Sequence, residues 1–148
     1  MFRSAVLFAA VLAAFAAAAT EAIRDFADHR ETEAALRTRL LDRLSSIEGV
    51  GTHIPPTHTE GIVHLSLPGI RSEIMLNYLS GREICVSAGS ACSAHGKHTS
   101  AALAAYGLDA CAMDTAIRVS LDYTNTADEI DAFAAALAEG VRTLQRMR

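Results

Sequence analysis

Helical and strand-like periods alternate along these 148 residues, and the alternation predicts an α/β fold: a small sheet layered with helices, led by a long N-terminal helix. Three observations carry this expectation. Residues 4–47 keep a helical pattern without a breaker. Residues 62–67 and 116–121 are short apolar or alternating runs bounded by turn formers. The C-terminal segment opens with a capping box and continues as an amphipathic helix.

Composition narrows the class of protein. With 51% apolar residues, 20% charged residues and three prolines, the chain can bury a core as one compact domain. Lys plus Arg number 13 against 17 Asp plus Glu, a formal charge of -4, and no two basic residues are adjacent. No electrostatic footprint for nucleic acid or an anionic bilayer follows, so neither is expected as a partner. Three cysteines, Cys85, Cys92 and Cys111, cannot all pair within one chain, which fits a reduced compartment. Lys97 is the only lysine.

The elements follow in chain order. Residues 4–20 carry no charge, and with Arg3 before them and Ala17-Ala18-Ala19 at cleavage spacing they satisfy a secretory signature. They equally satisfy the first half of a buried helix running on to Ile47, whereas a membrane span is disfavoured by the short, Ala-dominated stretch. Leu36, Leu40, Leu44 and Ile47 form one apolar stripe, with Arg24, Asp28, Glu31, Arg37 and Asp42 on other faces, and Gly49 and Gly51 end the helix. After Pro55-Pro56, residues 62–67 read as a strand closed by Pro68-Gly69. Ser72 is a candidate cap for a short helix through Ile74, Met75 and Leu79, ending near Gly81. Ile84-Cys85-Val86 reads as a strand feeding the small-residue loop 87–91. A helix starts at Thr99 or Ser100, runs to Tyr106 and ends on Gly107. In residues 116–121, Ile117, Val119 and Leu121 share a face, so Arg118 and Ser120 point away from it. The last helix sets Ile130, Phe133, Leu137, Val141 and Leu144 on one side behind the box Thr126 to Glu129.

Chemistry concentrates at Cys92, on a loop of small residues and exposed amides between Val86 and His95, a setting for a reactive thiolate. Cys85 within its apolar run and Cys111 among alanines are small core or surface residues without a role. Cys92, His95 and His98 lack a second cysteine in register, and His53, His58 and His64 lie elsewhere, so no metal site is expected. Gly96-Lys97-His98-Thr99 fails as a phosphate loop, lacking the earlier glycine and a hydroxyl after the lysine.

The runs Gly69-Ile70-Arg71-Ser72-Glu73-Ile74-Met75-Leu76, Val86-Ser87-Ala88-Gly89-Ser90-Ala91-Cys92-Ser93, Ala116-Ile117-Arg118-Val119-Ser120-Leu121 and Asp128-Glu129-Ile130-Asp131 together resemble the C-terminal part of the cysteine desulfurase family. These are class V aminotransferase-fold enzymes that use pyridoxal phosphate, and order and spacing match over roughly residues 20–146. The resemblance implies the small C-terminal domain of a fold-type I pyridoxal phosphate enzyme over residues 15–148, with 1–14 an unmatched apolar start. It implies that Cys92 is the persulfide-forming residue and Arg118 the arginine that binds the substrate carboxylate, with His95 a possible proton acceptor. A long helix leads into this domain in the family, which favours a cytoplasmic helix over a secreted protein with a signal peptide.

The implied reaction takes sulfur from L-cysteine to a Cys92 persulfide with release of alanine. The family's cofactor lysine, however, belongs to a larger preceding domain in a Ser-x-His-Lys setting, and Lys97 has no such context. Pyridoxal phosphate is therefore not expected to bind this chain alone. The implied partners are L-cysteine, a lysine-bearing large domain or second desulfurase subunit, and a sulfur-acceptor protein. A non-catalytic module that binds a sulfur carrier or a full-length desulfurase is the alternative. Thr59-Glu60 and Asp122-Tyr123 depart from the family's pattern without touching Cys92 or Arg118.

Overall fold

The computed structural model describes residues 2–88 and 101–146, with side chains over 6–88 and 103–146. The elements are α1 (Phe2–Arg24), α2 (Phe26–Ser45), β1 (Gly51–His53), β2 (Ile62–Ser66), α3 (Ser72–Ser80), β3 (Ser87–Ala88), α4 (Ala101–Ala105), α5 (Ala110–Asp114), β4 (Ala116–Ser120) and α6 (Ala127–Arg146). The strands form one antiparallel sheet in the order β1-β2-β4-β3. The predicted α/β layering with a long N-terminal helix is what the chain adopts.

The pairing of β2 with β4 brings Val63 opposite Val119 and Leu65 opposite Ile117. All four are buried. Over that face pack Leu36, Leu40 and Leu44 of α2, Met75 and Leu79 of α3, and Ile130, Phe133, Leu137 and Val141 of α6, in one continuous core. Each such side chain contributes about 1.5–3 kcal/mol when removed from water, which is why the helical stripes and the strand alternation must agree. A smaller cluster of Leu103, Leu108 and Ala116 ties α4 and α5 to one end of the opposite face.

Local signals account for most boundaries. In the capping box the Glu129 amide donates to Thr126 Oγ1 at 3.2 Å, and the Thr126 amide donates to Glu129 Oε2 at 2.9 Å. Gly107 takes φ +77°, and bonds from its amide to the Ala104 carbonyl and from Leu108 to Leu103 close α4 as a Schellman turn. The turn after β2 needs Gly69 at φ +88°.

Five expectations need correction. The N-terminal helix is not unbroken, because Asp25 leaves helical geometry at φ -99°, ψ 3° and divides it into α1 and α2. Nor is its first half buried: Val11, Leu12 and Phe15 are exposed, because no described element lies over them. Ile84-Cys85-Val86 is not a strand; pairing with β4 begins only at Ser87, and Cys85 is exposed. Ser72 is the first residue of α3 and gives no side-chain cap, the flanking position being Arg71 in extended conformation. Arg37, placed on a face other than the apolar stripe, is nevertheless buried, its Nη1 donating to the carbonyls of Thr59, Glu60 and Ile62 at 3.2, 3.4 and 2.8 Å. β1 and α5 are additional elements, three and five residues long, too short to show a period.

Two predictions follow from the α2–α6 and α3–α6 contacts. Asp131 of α6 accepts paired bonds from Arg39 and Arg43 of α2 at 2.7–3.1 Å, and these guanidinium groups hold its carboxyl far below the usual carboxylate range. Because the folded-state value is depressed, its stabilising effect is complete above the unfolded value of about 3.9 and fades as pH falls below it. Asp131→Asn lowers the urea midpoint by a constant margin from about pH 7 to about pH 5, and the margin closes on further acidification; a gap unchanged at about pH 3 would show that the pair is not its source.

Gly140 of α6 faces α3, where an added Cβ would lie 2.9 Å from the Tyr78 ring and 3.0 Å from Met75 Sδ. Gly140→Ala gains about 1 kcal/mol of helix propensity but overpacks the contact at a cost of about 1–3 kcal/mol. A net loss of thermal stability is expected, and a raised Tm would refute the close packing.

Candidate functional site

The face of the sheet opposite the main core carries a polar row, and strand register decides which residues meet there. His53 of β1 pairs with His64 of β2, His64 with Arg118 of β4, and Arg118 with Ser87 of β3. One row of four side chains thus crosses all four strands. Period-2 alternation puts these residues on the same side because Val63, Leu65, Ile117 and Val119 occupy the other. Arg118 therefore points away from the apolar face, as its strand pattern predicts.

Arg118 Nη2 donates to Ser87 Oγ at 3.4 Å, a long bond, while its Nε is buried and has no partner among the described residues. Nor does Arg118 have an ion-pair partner among them. A buried guanidinium N–H without an acceptor costs free energy unless something fills it, and the fork of an arginine matches a carboxylate in two-pronged fashion. Its neighbours do not compete for that acceptor. His64 is 8% exposed, and burial first, then Arg118, then His53 push its pKa down, so its ring is neutral at neutral pH. Burial pushes His53 down as well. His53 Nε2 lies 2.9 Å from Ser66 Oγ, and the Tyr106 ring after α4 meets His64 edge to face at 5.4 Å. A cleft of about 360 Å3 opens at the His53 and Tyr106 end of the row.

The row has one cation and neutral donors, which suits a small carboxylate. The only lysine of the sequence, Lys97, lies outside the described residues. No group of three or more metal-binding side chains occurs among the described residues.

Of the site residues read from sequence, Arg118 has this environment, whereas Cys92 and His95 lie outside the described residues. Cys85 and Cys111 are both exposed free thiols. Sequence reasoning noted His53 and His64 only as histidines distant from Cys92. The available signal was parity: His64 shares the even positions of β2 with Ile62 and Ser66, opposite the buried Val63 and Leu65.

The chain is similar to known proteins over most of its length. The family model for class V aminotransferases matches residues 1–133. A NifS/IcsS protein homolog of Lactobacillus delbrueckii subsp. bulgaricus is 29% identical over 139 residues, covering 93% of this chain and 36% of the relative. The cysteine desulfurase IscS of Photobacterium profundum is 34% identical over 116 residues, covering 76% and 28%. A solved NifS-like protein superposes with a TM-score of 0.66 at 27% identity, covering 80% of this chain and 29% of that one. The chain thus spans about a third or less of the proteins it matches. It belongs to the class V aminotransferase family, and within that family its relatives are the cysteine desulfurases.

Proposed function

We propose that this chain is the C-terminal, small-domain portion of a cysteine desulfurase-like enzyme. In this reading Arg118 binds the carboxylate of L-cysteine, and Cys92 receives the sulfur. The observation that carries it is the buried, unpartnered Nε of Arg118 in a row otherwise made of neutral side chains. Such an arginine holds an amino-acid carboxylate in a fixed orientation, and a thiolate close to it in the sequence of the neighbouring strand is a candidate to receive the substrate sulfur. Cys92 is four residues after Ala88, the last residue of β3, the strand that pairs with Arg118.

The Cys92 thiolate forms a bond to the substrate sulfur while the substrate carbon–sulfur bond breaks. The bonding pair stays on carbon, which takes up a proton and leaves as alanine, and the sulfur remains as a Cys92 persulfide for an acceptor protein. His95 takes the thiol proton before attack. The electron sink this cleavage requires belongs to the lysine-bearing larger portion of the fold, and the compartment is the cytoplasm.

Reconstitution with a lysine-bearing desulfurase portion tests the reading. Persulfide is expected on Cys92 by peptide mass spectrometry and is absent in Cys92→Ser. Arg118→Lys keeps the charge and loses the fork, raising KM for L-cysteine about tenfold or more. The chain alone is expected neither to retain pyridoxal phosphate nor to release sulfide. Borohydride fixation of the cofactor onto Lys97 in the isolated chain, or persulfide formation undiminished in Cys92→Ser, would overturn the assignment, whereas association with the lysine-bearing portion and no persulfide at all would favour the non-catalytic module.

A further inference from the structure

His64 lies in the middle of the polar row, 8% exposed, and neither of its ring nitrogens has a hydrogen-bond partner among the described residues. A buried donor without an acceptor costs free energy, and a position that needed only bulk would be better filled by an apolar residue. The imidazole is therefore placed for a group that comes from outside the described chain.

Strand pairing says where that group sits. His64 and Arg118 are Cα partners on adjacent antiparallel strands, so their Cβ atoms stand about 5 Å apart on one face of the sheet. His53 is one strand further, about 10 Å from Arg118, and its Nε2 is already engaged with Ser66 Oγ at 2.9 Å. Tyr106, just after α4, covers the side of the His64 ring with an edge contact at 5.4 Å. Among the described residues, His53 from β1, Arg118 from β4 and Tyr106 are the titratable or charged groups against His64. The cleft of about 360 Å3 is lined by two of them, His53 and Tyr106.

We propose that His64 is a second carboxylate-binding residue, donating a ring N–H to the carboxylate that the Arg118 guanidinium grips. The proposal rests on the reading of Arg118 above and adds to it a residue which that reading leaves idle. Position selects the class of ligand. A guanidinium next to the imidazole repels a metal cation, whereas an anion small enough to touch both neighbours satisfies both at once.

The pairing makes carboxylate binding depend on pH. In the empty row, burial and the adjacent Arg118 charge disfavour the protonated ring. A bound carboxylate offsets that charge and draws a proton to His64, so binding raises the midpoint of its titration. Linkage is reciprocal, and carboxylate affinity therefore rises as pH falls through that midpoint. Arginine acting alone has no such dependence, because it stays charged throughout.

NMR titration of the histidine rings in the full chain tests this, with L-alanine as the probe and ethylamine, which lacks the carboxylate, as the control. Saturating L-alanine is expected to raise the His64 midpoint by about half a pH unit, and its affinity is expected to rise by the same factor, about threefold, from about pH 8 to about pH 5. His58, beside Glu60 on a separate turn, reports any general solvent effect. His64→Gln keeps a donor and loses the charge, so the pH dependence disappears. His64→Leu removes both and is expected to bind about fivefold more weakly than His64→Gln at about pH 8. Movement of the Arg118 Nε–H resonance with an unmoved His64 midpoint overturns the proposal and leaves the reading of Arg118 intact, whereas no response at either residue removes both. A shift at His53 or His58 as large as that at His64, or an equal shift with ethylamine, also overturns the proposal. Where a substituted chain does not fold, the titration of the unsubstituted protein decides.

Discussion

The register between β2 and β4 is the constraint on which the remaining structure depends. Five residues of each strand are paired, and the pairing fixes which side chains face the helices and which face the other way. A slip of β4 by one residue would turn Ile117 and Val119 to the polar side and carry Arg118 into the core. An unpaired guanidinium among leucines is far more costly than any local gain could offset. The same apolar burial that stabilises the sheet therefore also specifies the polar row.

Burial of Arg37 shows how the chain holds β2 in place. Its guanidinium ties the middle of α2 to three backbone carbonyls around the start of β2 and stands 3.8 Å from Glu60. Carbonyls at the entrance to a strand that lack ladder partners are thereby satisfied from the helix above. A helical wheel places Arg37 beside the Leu36 and Leu40 stripe, and side-chain length lets it reach over the edge of that stripe, which periodicity alone cannot express.

Much of the fold was legible because several elements combine a strong period with a strong boundary. The Thr126 to Glu129 box, the Gly107 terminus and the alternation from Ile117 to Leu121 each join a hydrophobic pattern to a hydrogen-bonding reason. Elements without both were missed: β1 has three residues, and α5 has five beginning at an Asp109 cap. Ile84 to Val86 is apolar yet precedes the strand, because it packs toward the core as a connector after Glu83 turns the chain at φ +62°. In the candidate site Arg118 was legible from strand parity and from family resemblance together. His53 and His64 were not, since their meeting depends on pairing between strands and no spacing within one strand encodes it.

The bare apolar surface of α1 has a consequence for the amount of this protein a cell can hold. Chaperones and proteases recognise segments in which aromatic and branched side chains stand in water, and continuous triage makes steady-state abundance sensitive to such exposure. Phe8, Phe15 and Phe26 present that signal on the folded chain itself, without any unfolding. A surface laid over them would withdraw that signal, so burial of three phenylalanines would act on turnover as well as on stability.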